Sequence, residues 1–354
     1  MSIDANLQLV KFHEVDLNDP FFDSLKDGYK EFQDWFQKKE NENAFVLKDE
    51  KGLLQGFIYL KEEHEEIADV SPVLPLDRYL KIGTFKINAH GTKLGERFIK
   101  KSFDYAVSLG IKKLYVTVFP EHSGLIALFE RFGFTHVSDK STPNGVENVL
   151  LKEIGALTGV VEKDYPVIST SGSQYLLGIY PEYHTRLFPD SILQNENASI
   201  VDDVSHTNSI EKIYICKMKR VQVLESGDAL VIYRTGDGQG PAWYRAVATS
   251  ICMVEEMKTK NDFKTLKDFT DYALTRSVFS LEELTEYYTT WSCMYVIKMT
   301  YNAALKNRII RKRLVEDVGL SEQDYWGFMQ LSDNNLKQIA ELGDVDDSLI
   351  FYQA

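Results

Sequence analysis

Two α+β domains are what this sequence predicts: a mixed sheet with flanking helices over residues 1–155, a linker over 156–164, and a small β-barrel with added helices over 165–354. Three observations carry that expectation. The chain has 354 residues, more than a single hydrophobic core usually serves, and its apolar (44%) and aromatic (12%) content supplies material for two. Apolar spacing switches between a period of two and a period of 3.6 along both halves. Between Gly155 and Asp164 the pattern lapses, and Pro166, Pro181 and Pro189 then punctuate a new, loop-rich start after Tyr165.

In the first half, Leu25, Tyr29, Phe32 and Phe36 recur at helical spacing after the Asp19-Pro20 break, which predicts one amphipathic helix over Asp23–Glu40. Apolar runs at Ala44–Leu47 and Leu53–Leu60, joined by a polar turn closed by Gly52, predict a hairpin. The acidic stretch Glu62–Asp69 and the bend at Pro72 and Pro75 read as a connection, and Tyr79–Asn88 as the next strand. Leu94, Phe98, Phe103, Ala106 and Val107 mark a helical face that Gly110 caps. Lys113–Phe119 is a strand, Ser123–Phe132 a helix ended by Gly133, and Thr135–Ser138 with Val146–Lys152 a closing hairpin around Pro143-Asn144-Gly145.

In the second half, Ile210–Lys217, Ala229–Tyr233, Trp243–Val254 and Met294–Met299 read as strands. Phe263–Leu274, Leu281–Tyr288, Ala304–Val318 and Asn334–Leu342 read as helices. The Gly/Asp turn at Gly236–Gly240 precedes a strand and lacks a Gly-Lys-Ser/Thr ending, so it is a hairpin loop and not a phosphate loop.

Bulk properties exclude several classes. A net charge of −13 disfavours non-specific attraction to polyphosphate, which depends on an excess of cations. Neither half hides a basic domain: residues 1–155 hold 20 basic and 25 acidic side chains, residues 156–354 hold 20 and 28. One local anion-binding face remains open, since Lys298–Arg313 contains six basic residues and no acid. The three cysteines, Cys216, Cys252 and Cys293, form no CxxC pair and read as buried free thiols, so no metal is expected. With no apolar run of membrane-spanning length and no basic, apolar leader at the start, the expectation is a soluble cytoplasmic protein without a membrane partner.

The informative stretch is Arg78–Ala106, where a strand passes through the small-residue turn His90–Gly95 directly into a helix. Such a junction leaves backbone N–H groups unpaired at the positive end of the helix dipole, a ready site for pyrophosphate. Gly91 and Gly95 permit close approach there. Strand, HGTKLG turn, long helix, strand LYVTVF and a helix ending ALFERFGF together resemble the GNAT acetyltransferase superfamily, with His90, Lys93 and Gly95 at the Q/R-x-x-G-x-G/A signature positions. The resemblance implies acetyl-CoA as cofactor and transfer to an amine acceptor. It places main-chain contacts to the pantetheine arm at Phe85, Lys86 and Ile87, and pyrophosphate contacts at Gly91, Thr92, Lys93, Leu94, Gly95 and Glu96. The family's usual acid, a tyrosine on the last helix, is matched here by Phe129, which has no proton to give. His122 is the expected substitute, with Tyr115 and Glu121 behind it. The departure at Phe129 also leaves open a domain that senses acyl-CoA without catalysis.

The second half resembles PUA-like folds, the group that includes ASCH and EVE domains, through E-S-G-D-x-L-V-I-Y, Y-R-A-V-A-T and the strand Tyr295–Met299. That resemblance implies an RNA or nucleotide partner. Arg234, Trp243, Tyr244 and Arg245 are the expected base-stacking groups, with Lys306, Arg308, Arg311, Lys312 and Arg313 on phosphates. Trp243 and Tyr244 alternate if their segment is a strand, which would send one of them into the core. Tyr183, His184 and Arg186 are polar enough to line a pocket.

Overall fold

In the computed structural model, which describes residues 7–49, 51–88, 93–188 and 209–352, the chain divides into two units, Met1–Ile154 and Gly155–Ala354. The first unit runs β1 (Leu7–Lys11), α1 (Asp23–Gly28), α2 (Phe32–Lys38), β2 (Asn43–Lys48), β3 (Leu54–Ile67), β4 (Leu74–Ile87), α3 (Leu94–Ser108), β5 (Lys113–Val118), α4 (Ser123–Arg131), β6 (Thr135–Thr142) and β7 (Gly145–Glu153). Its strands form a seven-stranded sheet in the order β1-β2-β3-β4-β5-β7-β6, antiparallel except where β4 meets β5. The parallel pair is what α3 makes possible, since a crossover between parallel strands needs a helix-length connection.

Helix α3 shows how the sequence builds this unit. Leu94, Phe98, Ile99, Phe103 and Ala106 are buried along one face, and Gly110 ends the turn in the left-handed region at φ +64°, where a side chain would be strained. The segment expected as one helix from Asp23 to Glu40 is instead α1 and α2. Tyr29 between them is extended, with φ −131° and ψ 105°, and its side chain reaches a partner far along the chain. The acidic stretch expected as a connection is the second half of β3, laddered to β4 as far as Ile67↔Leu74. Exposed Glu62, Glu65 and Glu66 point to solvent there while Glu63 and Ile67 are buried, so charge did not prevent strand formation.

The second unit runs α5 (Val161–Asp164), β8 (Ile168–Ser169), β9 (Gln174–Ile179), α6 (Pro181–Leu187), β10 (Glu211–Cys216), β11 (Ala229–Arg234), α7 (Ala242–Arg245), β12 (Val247–Thr259), α8 (Leu266–Ala273), α9 (Leu281–Thr290), β13 (Tyr295–Ile310), α10 (Arg311–Glu316), β14 (Phe328–Leu331), α11 (Asp333–Leu342) and β15 (Ile350–Phe351). Six strands form a sheet in the order β10-β13-β12-β11-β9-β14, and β8 pairs with β15. Three register shifts between β12 and β13 bend these long strands, and both faces of the sheet bury apolar clusters. No described helix is long and apolar enough to cross a membrane.

Two element expectations and one expectation of burial are corrected here. The strand expected from Trp243 starts at Val247, because Pro241 opens the short helix α7 instead. The helix expected over Ala304–Val318 is the end of β13 followed by the six residues of α10. Ladder pairing of β13 with β12 as far as Val247↔Ile310 overrides the helical spacing of that segment. Cys216 and Cys252 are buried, but Cys293 is exposed just before β13.

His184 on α6 is fully buried and its Nε2 lies 2.8 Å from Thr249 Oγ1. Burial, with the charges of Arg234 and Arg308 adding to it, pushes the imidazole down to about 3. Because the folded value lies below the unfolded one, His184 contributes stability that is complete above about pH 6.5 and is lost as pH falls through about 3. Between those limits the second unit is expected to lose about 1.4 kcal/mol per pH unit from this group. Denaturant unfolding at several pH values, compared with His184→Gln, measures that slope.

Candidate active site

The site of the first unit begins where β4 and β5 part. They pair from Tyr79↔Lys113 to Ile82↔Val116, although β4 continues to Ile87 and β5 to Val118. One cause lies at Gly83. Tyr59 pairs with Thr84 and Leu60 with Ile82, so Gly83 is an extra residue on β4, and such a bulge bends its strand. A Cβ on Gly83 would lie 2.8 Å from Tyr59 Cδ1, and Tyr59 is buried. Gly83→Ala is therefore expected to displace that ring and cost about 1–3 kcal/mol, read as a lower melting temperature.

The split borders a cavity of about 370 Å³. Alternation along β3 turns Tyr59, Lys61 and Glu63 toward it, and Lys81, Glu147, Tyr29 and His122 reach it from other elements. Its polar groups fall into two clusters. At the split end, Glu147 is 5% exposed and accepts a 3.0 Å hydrogen bond from the Tyr29 hydroxyl. Burial, then the Glu147 charge, pushes the Tyr29 phenol well above its ordinary range. The register Val118↔Asn148 sets Glu147 beside the end of β5.

The second cluster lies at the paired end, as the register Glu63↔Tyr79 and Tyr79↔Lys113 requires. Glu63 accepts from Lys61 Nζ at 2.7 Å and from the Tyr115 hydroxyl, with Lys81 Nζ 4.0 Å away. Burial would raise the Glu63 carboxyl, but the bonds from Lys61 and Tyr115 and the Lys81 charge outweigh it and hold it below its usual value. Burial holds the Lys81 ammonium down against the pull of Glu63. It also drives the Tyr115 phenol far up, aided by Glu63. Tyr115 thus commits its proton to Glu63 and is not a ready donor.

Of the turn expected to cradle pyrophosphate, His90, Gly91 and Thr92 lie outside the described residues. Lys93 caps α3, and its ammonium pairs with Glu96, which is 2% exposed and also 3.1 Å from Arg131 Nη1. The side chains of Lys93 and Glu96 are engaged with each other, which leaves the backbone amides of Leu94, Gly95 and Glu96 as the groups presented at the helix start. A Cβ on Gly95 would lie 2.6 Å from Leu128 Cδ2 and 3.6 Å from Ile87 Cδ1, so the glycine lets α3, α4 and the end of β4 meet closely. Phe85 sits edge-on to Phe98 at 5.6 Å and to Phe129 at 5.4 Å, and Lys86 Nζ reaches Ser24.

Phe129 is fully buried and also packs on Phe134 at 4.9 Å. His122 is exposed at the N-cap of α4, where its side chain makes no capping bond. Its carbonyl instead accepts from Leu125 N and Ile126 N at 2.9 and 3.0 Å, and its imidazole borders the cavity near the split. Glu121 beside it is exposed. Sequence reasoning missed Tyr29, Glu63, Lys81 and Glu147. For Glu63 a signal existed in the alternation Tyr59-Lys61-Glu63. For Glu147 and Tyr29, which meet across more than a hundred residues, none did.

In the second unit the expected stacking and phosphate groups are dispersed. Arg234 is buried, with its Nη1 3.3 Å from the Arg245 carbonyl oxygen. Arg245 makes a two-pronged pair with Asp237, its Nε 2.6 Å from Oδ1. Tyr244 is 59% exposed and Trp243 half-buried, so neither enters the core. The basic stretch finds acidic partners: Lys306 pairs with Asp344 at 3.3 Å, Lys312 with Glu316 at 3.7 Å and Arg313 with Asp317 at 2.7 Å. Arg308 lies on β13, and Arg311 opens α10 with its guanidinium 4.4 Å from the Trp326 ring. Lys298 turns into a cluster of carboxylates, 3.4 Å from Glu162 and 3.1 Å from Glu211, and pairs with Glu255 as well. Those three carboxylates have oxygens within 4.8 Å of one another, and the Lys298 ammonium, with the Arg276 guanidinium that pairs with Glu211, supplies countercharge. Tyr183 packs on Phe279 at 5.2 Å and Arg186 Nη2 donates to the Val278 carbonyl, so the group around His184 is structural.

Residues 9–134 match the family model described as acetyltransferase (GNAT) family. No curated protein matches the chain. Among solved structures, the chain is similar to an ASCH protein from Zymomonas mobilis, at 9% identity over 48% of this chain and 95% of that one, with a TM-score of 0.34. It is also similar to a GNAT family acetyltransferase from Elizabethkingia anophelis with acetyl-CoA bound, at 14% identity over 42% and 99%, TM-score 0.30. A third is spermidine N-acetyltransferase from Vibrio cholerae, at 15% identity over 42% and 96%, TM-score 0.29. Likenesses this distant carry no argument about chemistry. The match of residues 9–134 to the acetyltransferase (GNAT) family model spans the split strands, the start of α3 and the helix that bears Phe129.

Proposed function

We propose that the first unit transfers an acetyl group from acetyl-CoA to an amine held in its 370 Å³ cavity. The observation that carries this reading is the split between β4 and β5 beyond Ile82↔Val116. It exposes an edge of β4 over Gly83–Ile87 that leads to the first-turn amides of α3. A strand edge followed by a helix N-terminus suits an amide-bearing arm that ends in pyrophosphate. The backbone of Phe85, Lys86 and Ile87 would hold the arm. The amides of Gly91, Thr92, Lys93, Leu94, Gly95 and Glu96 would hold the phosphates. The cofactor supplies an acetyl group activated as a thioester. In the cavity Glu147 takes a proton from the incoming ammonium and Tyr29 orients that carboxylate. His122, bordering the split, would give its proton to the sulfur that leaves as the amine nitrogen bonds the acetyl carbon, and would take the second proton of that nitrogen in return.

Calorimetry with acetyl-CoA tests the first step. Saturable binding that Gly95→Glu abolishes is the expected result, and no heat at millimolar ligand overturns the reading. His122→Ala is expected to lower turnover about a hundredfold or more with acetyl-CoA affinity retained.

The second unit, in this reading, is a PUA-like module that engages an RNA or nucleotide-linked acceptor through Tyr244, Trp243 and the cations of α10. Lys312→Glu with Arg313→Glu is expected to weaken retention of RNA on a filter, and unchanged retention removes α10 from the interface. A second reading, a sensor that binds acyl-CoA without transferring it, is favoured by Phe129, which offers no proton where the family places a tyrosine. Mass spectrometry after incubation with acetyl-CoA and a cellular RNA and amine pool separates the two. Acetylated product supports the enzyme, and unmodified material alone supports the sensor.

A further inference from the structure

The cavity of the first unit has two unlike ends, and the chemistry of acetyl transfer uses only the one at Glu147. At the other end both nearby carboxylates are already taken by lysines. Glu63 accepts from Lys61 Nζ at 2.7 Å, and Asp69 pairs with Lys140 at 2.5 Å. A third lysine, Lys81, is left over. Its ammonium lies 4.0 Å from Glu63 Oε1, beyond hydrogen-bonding reach, and makes no hydrogen bond among the described residues. The side chain is 21% exposed and belongs to the cavity wall, and its nitrogen is not closed to solvent. Of the other charged groups on that wall, Lys39 pairs with Glu42 and Glu31 accepts from Asn144.

The place of Lys81 is set by the sheet. It pairs with Lys61 of β3 and Tyr115 of β5, and its Nζ stands 5.4 Å over the Tyr115 ring. Burial, with the Lys140 and Lys61 charges adding to it, holds the ammonium down against Glu63 and Asp69, and an anion bonded to this nitrogen would favour its charged form. Tyr115 pairs with Leu151 as well. Glu147 stands four residues before Leu151 on β7, roughly 13 Å away at the rise of a strand. An even interval keeps side chains on one face of a sheet, so Lys81 and Glu147 border the same cavity from its two ends.

The chemistry of the two ends selects an acceptor. An ammonium only donates, and its bond to a charged acceptor is the stronger for that charge. One unbonded ammonium matches one negative charge, that of a carboxylate, whereas a phosphate monoester brings about two at neutral pH. An amine at Glu147 and a carboxylate at Lys81 must be held apart by a chain, which an α-amino acid lacks. Leu25, Phe32 and Trp35 give the cavity an apolar wall for such a chain. We infer that the first unit takes a linear ω-amino acid as its acceptor, with the ammonium at Glu147, the carboxylate at Lys81 and the methylenes along that wall. The inference rests on the acetyl-transfer reading for the place of the amine and goes beyond it in naming the acceptor class.

Calorimetric titration of the full chain tests this without turnover, using 6-aminohexanoate as probe and hexylamine and 1,6-diaminohexane as comparisons, each with and without CoA. The expected result is saturable one-to-one binding of 6-aminohexanoate, about tenfold or more tighter than either comparison. Lys81→Met keeps an unbranched stem and removes the charge, and is expected to bring 6-aminohexanoate to within about twofold of hexylamine. The ligand series on the native chain needs no variant, so the inference stays testable if Lys81→Met fails to fold. Three outcomes overturn it: no heat with 6-aminohexanoate at millimolar concentration, hexylamine or 1,6-diaminohexane binding as tightly, or a preference for the acid that survives Lys81→Met. Failure of the transfer reading looks different. Preferential binding of 6-aminohexanoate with no N-acetylated product after incubation with acetyl-CoA would overturn transfer and leave the ω-amino acid site standing.

Discussion

Glu147→Gln is expected to lower acetyl transfer by about 10²- to 10⁴-fold while acetyl-CoA affinity stays as in the native protein. The amide keeps the size of the side chain and still accepts from the Tyr29 hydroxyl, whose 3.0 Å bond ties α1–α2 to β7. It removes the negative charge and the proton-accepting oxygen beside the end of β5, where the amine would lose its proton. Steady-state kinetics with calorimetry read the two effects separately. Glu63→Gln is the informative contrast. Glu63 is buried at the other end of the cavity and already engaged by Lys61 and Tyr115, so its loss should disturb packing and substrate affinity more than the chemical step. Equal losses of turnover in both variants would remove Glu147 from the assigned role.

Phe129→Ala is expected to destabilise the first unit by about 3–5 kcal/mol. The ring is fully buried and joins three elements, packing on Phe85 of β4 and on Phe134 after α4, while Phe85 in turn meets Phe98 of α3. Truncation opens a cavity that cannot collapse, because β4 is held by the β3 ladder and α3 by Gly95 against Leu128. Denaturant unfolding measures the loss. Phe129→Leu, which keeps most of the volume, should cost clearly less, and a loss under about 1 kcal/mol in the alanine variant would show that the ring is not a core element.

Much of the α+β architecture was legible in one dimension. The helix read from Leu94 to a cap at Gly110 is α3, and Lys113–Phe119 and Ser123–Phe132 differ from β5 and α4 by a residue at their ends. Those segments carry their own instructions: an apolar period, a glycine free to take positive φ, a proline. Three of the errors have a common origin. The β3 extension through Glu62–Ile67 and the continuation of β13 through Lys306 and Arg308 are strands because a partner strand supplies a ladder, and no local window contains the partner. The break at Tyr29 is of the same kind, since the hydroxyl it frees is bound by Glu147.

By itself, then, the sequence determined α3, β5, α4 and the closing hairpin in their order, and the strand–turn–helix junction on which the acetyl-CoA reading rests. Only the tertiary structure decided where β4 and β5 part, which carboxylate stands at that split, and that Lys298 and Lys306 meet acids contributed from elsewhere. Local propensity is a property of a few neighbouring residues, whereas pairing, burial and charge compensation depend on which distant residues the fold brings within a few ångströms.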